Sequence, residues 1–151
     1  THSASQCHPG SAPGSEGDSA CDHPVSHVDL YPTLVDYCGL PKNPNEGRSG
    51  HTLCGHSMRP FVENPSKGKW DGPDVALTAV YGEKLPDGTQ CRNYSVRSRH
   101  WRYTLYQNGA EELYDHQNDP NEWSNLAKDR RHAKTKADLK GKLLAMLDRK
   151  A

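Results

Sequence analysis

The stretch Asn93–Ala127, NYSVRSRHWRYTLYQNGAEELYDHQNDPNEWSNLA, decides how the rest of this 151-residue chain is read. Tyr94 and Val96 fall on one side of an extended backbone, and Ser95 and Arg97 on the other. After a polar break at Ser98-Arg99-His100 the alternation resumes, with Trp101, Tyr103 and Leu105 opposite Arg102, Thr104 and Tyr106. Period-two alternation rich in aromatic and β-branched residues predicts half-buried strands. Asn108-Gly109 then predicts a tight hairpin in which both turn residues take positive φ. The chain returns through Glu112-Leu113-Tyr114 and stops at Asn118-Asp119-Pro120. The outcome is an antiparallel meander with one apolar face, and that face requires a cover.

The cover is legible downstream. From Ala133 to Arg149 the residues Ala133, Ala137, Leu139, Leu143, Met146 and Leu147 share one broad side of a helix, and Lys and Asp fill much of the other. Arg149 and Lys150 suit the negative end of its dipole. Upstream, Val75, Leu77, Ala79 and Tyr81 alternate as a first strand, followed by a Pro86-Asp87-Gly88 turn. The predicted fold class is therefore α+β, with a small antiparallel sheet of about four strands under a C-terminal helix.

Nearer the N-terminus, Asp29 to Leu40 reads as a helix, with Asp29 as N-cap, Pro32 in the first turn and Gly39 ending it before Pro41. Tyr31, Leu34, Val35 and Cys38 lie on one face. Left uncovered, that face is a solubility hazard. Residues 41–69 are rich in turn formers. Thr1 to Ala20 contains no Val, Ile, Leu, Met, Phe, Trp or Tyr. Such a segment cannot bury enough surface to offset its ordering entropy, so disorder is expected there.

Hydrophobic residues make up 32% of the chain, low for a self-sufficient domain, and 19 basic residues balance 19 acidic ones. Neither nucleic acid nor a membrane surface is favoured by that balance, and no run is long enough to span a bilayer. The five cysteines (Cys7, Cys21, Cys38, Cys54, Cys91) include no CxxC pair and leave the redox compartment open. His51, Cys54 and His56, with Cys21 and His23 upstream, are residue types that zinc uses. Their spacing fits no common zinc motif, and surface loop residues are the simpler reading.

Ser95-Val96-Arg97-Ser98, Trp101-Arg102-Tyr103, Asn108-Gly109, Glu112-Leu113-Tyr114-Asp115, Asn118-Asp119-Pro120 and Glu122 through Ala127, taken in order, resemble the C-terminal subdomain of the formylglycine-dependent sulfatases, and within them the iduronate-2-sulfatase-like branch. Val25 through Pro41 (VSHVDLYPTLVDYCGLP) and Gly55-His56-Ser57-Met58-Arg59-Pro60-Phe61 extend the resemblance upstream. It implies three divisions: residues 1–20 disordered or non-native, residues 21–72 the end of a larger alkaline-phosphatase-like domain including one of its helices, and residues 73–151 the C-terminal subdomain. Ala12-Pro13-Gly14 also resembles a family segment, one that follows an apolar strand, yet Ser5 to Ser11 is polar. Either that stretch is a linker, or the sequence before Ser11 is not native.

The same resemblance implies an enzyme whose formylglycine nucleophile and calcium site lie N-terminal to these residues, so no catalytic and no metal residue is assigned here. Cys7-His8-Pro9 lacks the Arg that a Cys-x-Pro-x-Arg nucleophile motif requires. The implied partners are the missing N-terminal sulfatase domain and, through the parent enzyme, a sulfated small molecule or glycan. A periplasmic, lysosomal or extracellular setting is implied by the family alone. Asn93, Tyr94, Arg97 and Glu112 are the candidates for bordering an anionic substrate cleft. The alternative for Arg97 and Arg102 is a solvated face with ion pairs to Glu111, Glu112 or Asp115, and for Glu112 a hydrogen bond to a neighbouring strand. Trp101, Tyr103 and Trp123 are read as core rather than as a sugar-stacking platform. A stand-alone, non-catalytic module that binds a carbohydrate or a protein is the competing function.

Overall fold

A computed structural model describes residues 20–43, 47 and 54–148, and the chain divides into two compact units, one ending at Asp74 and one beginning at Val75. Expectations placed on the N-terminal stretch, Cys7, His51, Arg149 and Lys150 lie outside the described residues.

In the second unit the alternating stretches form β1 (Ala76–Lys84), β2 (Gln90–Arg97), β3 (Trp101–Leu105) and β4 (Glu111–Asp115), an antiparallel sheet in the order β1-β2-β3-β4. The register lines up Leu77, Val96, Tyr103 and Leu113 as one row across all four strands. A one-residue slip anywhere would turn that row to the opposite face, so its burial fixes the pairing. The helix α3 (Ala133–Asp148) lies over the row, as a sheet with one apolar face requires. Val75, Val96, Tyr103, Leu113, Ala127, Leu139 and Leu143 form a single buried cluster, with Tyr94, Trp101, Leu105, Leu126 and Met146 packed around it. The buried stripe of α3 is narrower than its sequence suggests: Leu139 and Leu143 are covered, whereas Ala133, Ala137 and Leu147 are exposed.

The β3–β4 hairpin departs from the expected turn. Tyr106 donates its N–H to Ala110, Gly109 donates to Tyr106, and only Gly109 has positive φ, at 81°. Asn108 instead uses its side chain, whose Oδ1 accepts the Ala110 N–H at 2.9 Å. Asparagine contributes here as a local acceptor, and glycine alone supplies the left-handed residue.

Glu111 ties the helix to the sheet. Its carboxylate accepts the Tyr103 hydroxyl at 2.7 Å and the ammonium groups of Lys136 and Lys140, one helical turn apart, at 2.9 Å each. The Lys136 bond foremost, then those from Tyr103 and Lys140, hold the Glu111 carboxyl down to about 2 from an ordinary 4.5. A depressed carboxyl contributes stability in full above its unfolded value and loses it as pH falls toward the folded one. Glu111→Gln is therefore expected to cost about 1–2 kcal/mol at pH 7, allowing for solvent around the lysines, and almost nothing at pH 2. Urea unfolding of both proteins at the two pH values checks this, and an equal cost at both would refute the assignment.

In the first unit a 3-10 turn at His27–Asp29 leads into α1 (Leu30–Tyr37), and a five-residue helix, α2 (Arg59–Glu63), follows later. Asp29 does not cap α1 with its side chain. It is buried, and its carboxylate accepts N–H groups from Ser26 at 2.7 Å and His56 at 2.9 Å. That second bond draws the Gly55–His56 backbone onto the start of α1. A side chain at Gly55 would meet the Val28 carbonyl oxygen at 2.4 Å, and φ there is +99°. The end of α1 matches expectation: Gly39 has φ 62°, and Leu40 donates back to the Val35 carbonyl.

The faces of α1 divide differently from the sequence reading. Val35 and Thr33 point inward, while Leu30, Tyr31, Leu34, Tyr37 and Leu40 are exposed, Leu34 to 60%. Cys38 is exposed as well. His23, Phe61, Trp70 and His56 form a second contact layer, with ring centroids 4.9–5.6 Å apart, and His56 Nδ1 lies 3.1 Å from Asp71. Of the residue types that suggested zinc, these two histidines rest on Trp70 instead, and Cys54 is exposed.

Candidate functional site

The sheet's second face, turned away from α3, carries the polar residues that alternate with the core. One row across the strands is Ala76, Arg97, Arg102 and Tyr114, and the next is Thr78, Ser95, Thr104 and Glu112. Asn93 lies on this face opposite Val80. Of the four cleft candidates, Asn93, Arg97 and Glu112 share this face. Tyr94 does not, because it packs against the core on the helix side.

Each polar candidate has a definite surrounding. Asn93 Oδ1 accepts the Gln107 N–H at 3.0 Å and so pins the entry to the β3–β4 hairpin. Glu112 accepts the Tyr106 hydroxyl at 3.0 Å, a bond from the residue that follows β3 and in line with the structural alternative for this carboxylate. Burial first, then this carboxylate, raises the hydroxyl pKa of Tyr106. Tyr114, on the same carboxylate, is raised for the same reasons in the same order. Both phenols are hydrogen-bond donors at any physiological pH.

Arg97 and Arg102 stand directly opposite each other in the β2–β3 register. Like charges in that position repel. Arg102 relieves part of the repulsion by donating to Glu122, not to the expected Glu111, Glu112 or Asp115. His116 binds the other oxygen of the same carboxylate through Nε2. That contact requires the Nε2–H tautomer when the ring is neutral. Burial, then Arg97 and Arg102, lower the His116 pKa below its ordinary value. Arg97 Nη1 and Arg102 Nε are buried without an acceptor among the described residues. Burial and the neighbouring Arg102 both oppose the charge on Arg97.

Glu122 and His116 are the functional-looking residues that the sequence reading passed over. The signal was present in Asn118-Asp119-Pro120-Asn121-Glu122, a turn that places an acidic residue just beyond β4. Nothing local, however, identifies Arg102, twenty residues earlier, as its partner. The segment after Glu122 is equally well tied. Asp119 accepts the N–H groups of Trp123 and Ser124 at 3.1 and 2.8 Å, and Asn125 Oδ1 accepts those of Leu113 and Ala127. Trp123, expected in the core, is 84% exposed at the top of this loop. Trp101 and Tyr103 are core-side as expected, Tyr103 fully buried and Trp101 half-buried against the His132 ring at 5.2 Å.

With this geometry in view, residues 11–149 match the family described as N-sulphoglucosamine sulphohydrolase, C-terminal. The chain belongs to that family. Human arylsulfatase K is 34% identical over 118 residues, which cover 76% of this chain and 21% of that protein. Among solved structures, a 2-O GAG sulfatase superposes with a TM-score of 0.66 at 26% identity, covering 91% of this chain and 28% of that one. The phosphonate monoester hydrolase of Agrobacterium radiobacter superposes with a TM-score of 0.62, also at 26% identity, over 82% of this chain and 25% of that one. The chain thus spans about a fifth of the curated relative and about a quarter of each solved structure. One of these solved neighbours is a sulfatase and the other a phosphonate monoester hydrolase, so likeness of fold does not by itself fix the ester. Among the described residues no helix is long and apolar enough to cross a membrane, and no three His, Cys, Asp or Glu side chains gather as a metal site.

Proposed function

We propose that this chain is the C-terminal portion of a formylglycine-dependent sulfatase acting on sulfated sugars, within or near the iduronate-2-sulfatase-like branch, and that turnover depends on residues preceding it. The observation that carries the reading is the family match over residues 11–149, together with sulfatase relatives several times longer than this chain. The exposed apolar side of α1 supports it, because Leu30, Tyr31, Leu34, Tyr37 and Leu40 form a surface that a monomer of this size hydrates at a cost. An N-terminal sulfatase domain is the partner suited to cover it. The formylglycine nucleophile and calcium ion belong to that N-terminal part, where the metal polarises the sulfate oxygens. This chain's contribution is positional: Asn93, Arg97 and Glu112 border the cleft from the polar face of the sheet.

The test compares aryl-sulfate and sulfated-sugar hydrolysis, with calcium, by residues 1–151 alone and by the same chain extended upstream at its locus. Turnover is expected only from the extended protein. Activity in residues 1–151 alone overturns the reading, as does an extended protein that cleaves no sulfate ester.

A second reading, a stand-alone binding module, is favoured by one observation: the second unit buries a core of its own, centred on Val96, Tyr103, Leu113 and Leu143. It predicts cooperative unfolding without any other chain and an upward shift of Tm with a sulfated glycan, whatever the extended protein does.

A further inference from the structure

The segment from Trp123 to Lys136 has the makings of a contact surface. Between residues 128 and 136 there are five cations, Lys128, Arg130, Arg131, Lys134 and Lys136, against one carboxylate, Asp129, in a chain whose charges balance only as a whole. They gather at the start of α3, the end of a helix whose dipole disfavours positive charge. Lys136 and Arg131 have carboxylate partners that explain them, but the helix gives no local reason for the others.

The carboxylates of this region are already engaged. Asp115 accepts from Gln117 and Asn118, Asp119 from the Trp123 and Ser124 backbone, Glu122 from Arg102 and His116, and Asp129 from Arg131. Lys136 is bound to Glu111. That leaves Lys128, Arg130 and Lys134 exposed, with no carboxylate partner among the described residues. Five residues before Lys128, and so within roughly 18 Å of it by chain length, the indole of Trp123 stands out on a loop fixed by backbone bonds to Asp119. An aromatic face presented at little entropic cost, followed along the chain by three cations without a carboxylate partner among the described residues, matches a chain of sugar rings bearing anionic groups.

We propose that Trp123, Lys128, Arg130 and Lys134 form a binding surface for a sulfated polysaccharide, the indole stacking on a sugar ring and the three cations meeting sulfate groups along the polysaccharide. The inference rests on the sulfated-sugar reading for its choice of polyanion, but its test needs no turnover. Residues 1–151 are titrated at 0.15 M salt with dextran sulfate, unsulfated dextran and polyglutamate of matched charge, following tryptophan fluorescence and bound fraction.

Dextran sulfate is expected to bind, and to bind more tightly than either control. The triple variant Lys128→Ser/Arg130→Ser/Lys134→Ser should lose about tenfold or more in affinity together with most of the salt dependence. Trp123→Ala should lose roughly three- to tenfold with the salt dependence unchanged. All four side chains are exposed, so the variants should keep the parent Tm, which is measured alongside. Undiminished binding by the triple variant overturns the proposal. Equal affinity for polyglutamate overturns the carbohydrate assignment, because it shows a surface for any polyanion, an acidic protein included. Binding to dextran sulfate by a protein whose extended form cleaves no sulfate ester would retire the proposed function and leave the binding surface standing.

Discussion

Leu143→Ala is expected to destabilise the second unit by about 3–4 kcal/mol, whereas Leu144→Ala, one residue along the same helix, should cost under about 1 kcal/mol. Leu143 is fully buried on α3 among Val75, Val96, Tyr103, Leu113 and Leu139, and Leu144 is exposed. Truncation at Leu143 removes three buried carbons and leaves a cavity between a helix and a sheet, two layers each held by its own hydrogen bonds. Neither can collapse inward to fill it, which places the cost in the upper half of the usual range. A unit this small starts near the low end of domain stability, roughly 5 kcal/mol. The variant should therefore be substantially unfolded in mild denaturant. Urea unfolding followed by Trp101, half-buried against this core, gives the midpoint shift. Equal midpoints for the two variants would mean that α3 does not seat on the sheet through the Leu139–Leu143 stripe.

How much of this was legible beforehand depends on how local each cause is. The row Leu77, Val96, Tyr103, Leu113 could be read from alternation alone, because side-chain direction in a strand follows residue parity. The cover over it followed from the helical period of Leu139, Leu143 and Met146. Three errors have a different origin. Trp123 looked like core because aromatic residues usually are, yet it lies beyond β4, where no parity rule applies. Helical period puts Val35 on the apolar side of α1 with Tyr31, Leu34 and Cys38, but the buried Asp29 and Thr33, held by Ser26, His56 and Met58, rotate the helix so that Val35 faces inward. Sequence hydrophobicity cannot anticipate a helix seated on its polar residues. Chain proximity pairs Arg102 with Glu111, Glu112 or Asp115, whereas Glu111 is drawn to the helix lysines on the other face of the sheet. The acid that reaches Arg102 comes from a loop whose course depends on one unusual backbone angle.

That angle makes Glu122 the residue where substitution should be most informative. Among the described residues it is the only non-glycine with positive φ, at 59°, a conformation that costs an L-residue on the order of 1 kcal/mol. What compensates is the carboxylate, mostly buried between Arg102 and His116. Glu122→Ala keeps the backbone cost and leaves Arg102 facing Arg97 with no counter-charge. It is expected to lose about 2–3 kcal/mol, less than a fully buried pair because Arg102 is partly solvated. Glu122→Gly loses the same contacts but relieves the left-handed strain, so it should be about 1 kcal/mol more stable than the Ala variant. His116 supplies a readout independent of stability. Its pKa already lies below the ordinary 6.5, through burial and then the two arginines. Without Glu122 those cations are opposed only by Asp119 and Asp115, and the imidazole should titrate lower still by NMR. A depressed histidine withdraws stability as pH falls below its unfolded value toward its folded one. Both variants should therefore lose more than the parent between pH 6.5 and 5. If Ala and Gly prove equally stable, within about 0.3 kcal/mol, and His116 titrates as in the parent, the carboxylate is a surface ornament and the polar face of the sheet is held by something else.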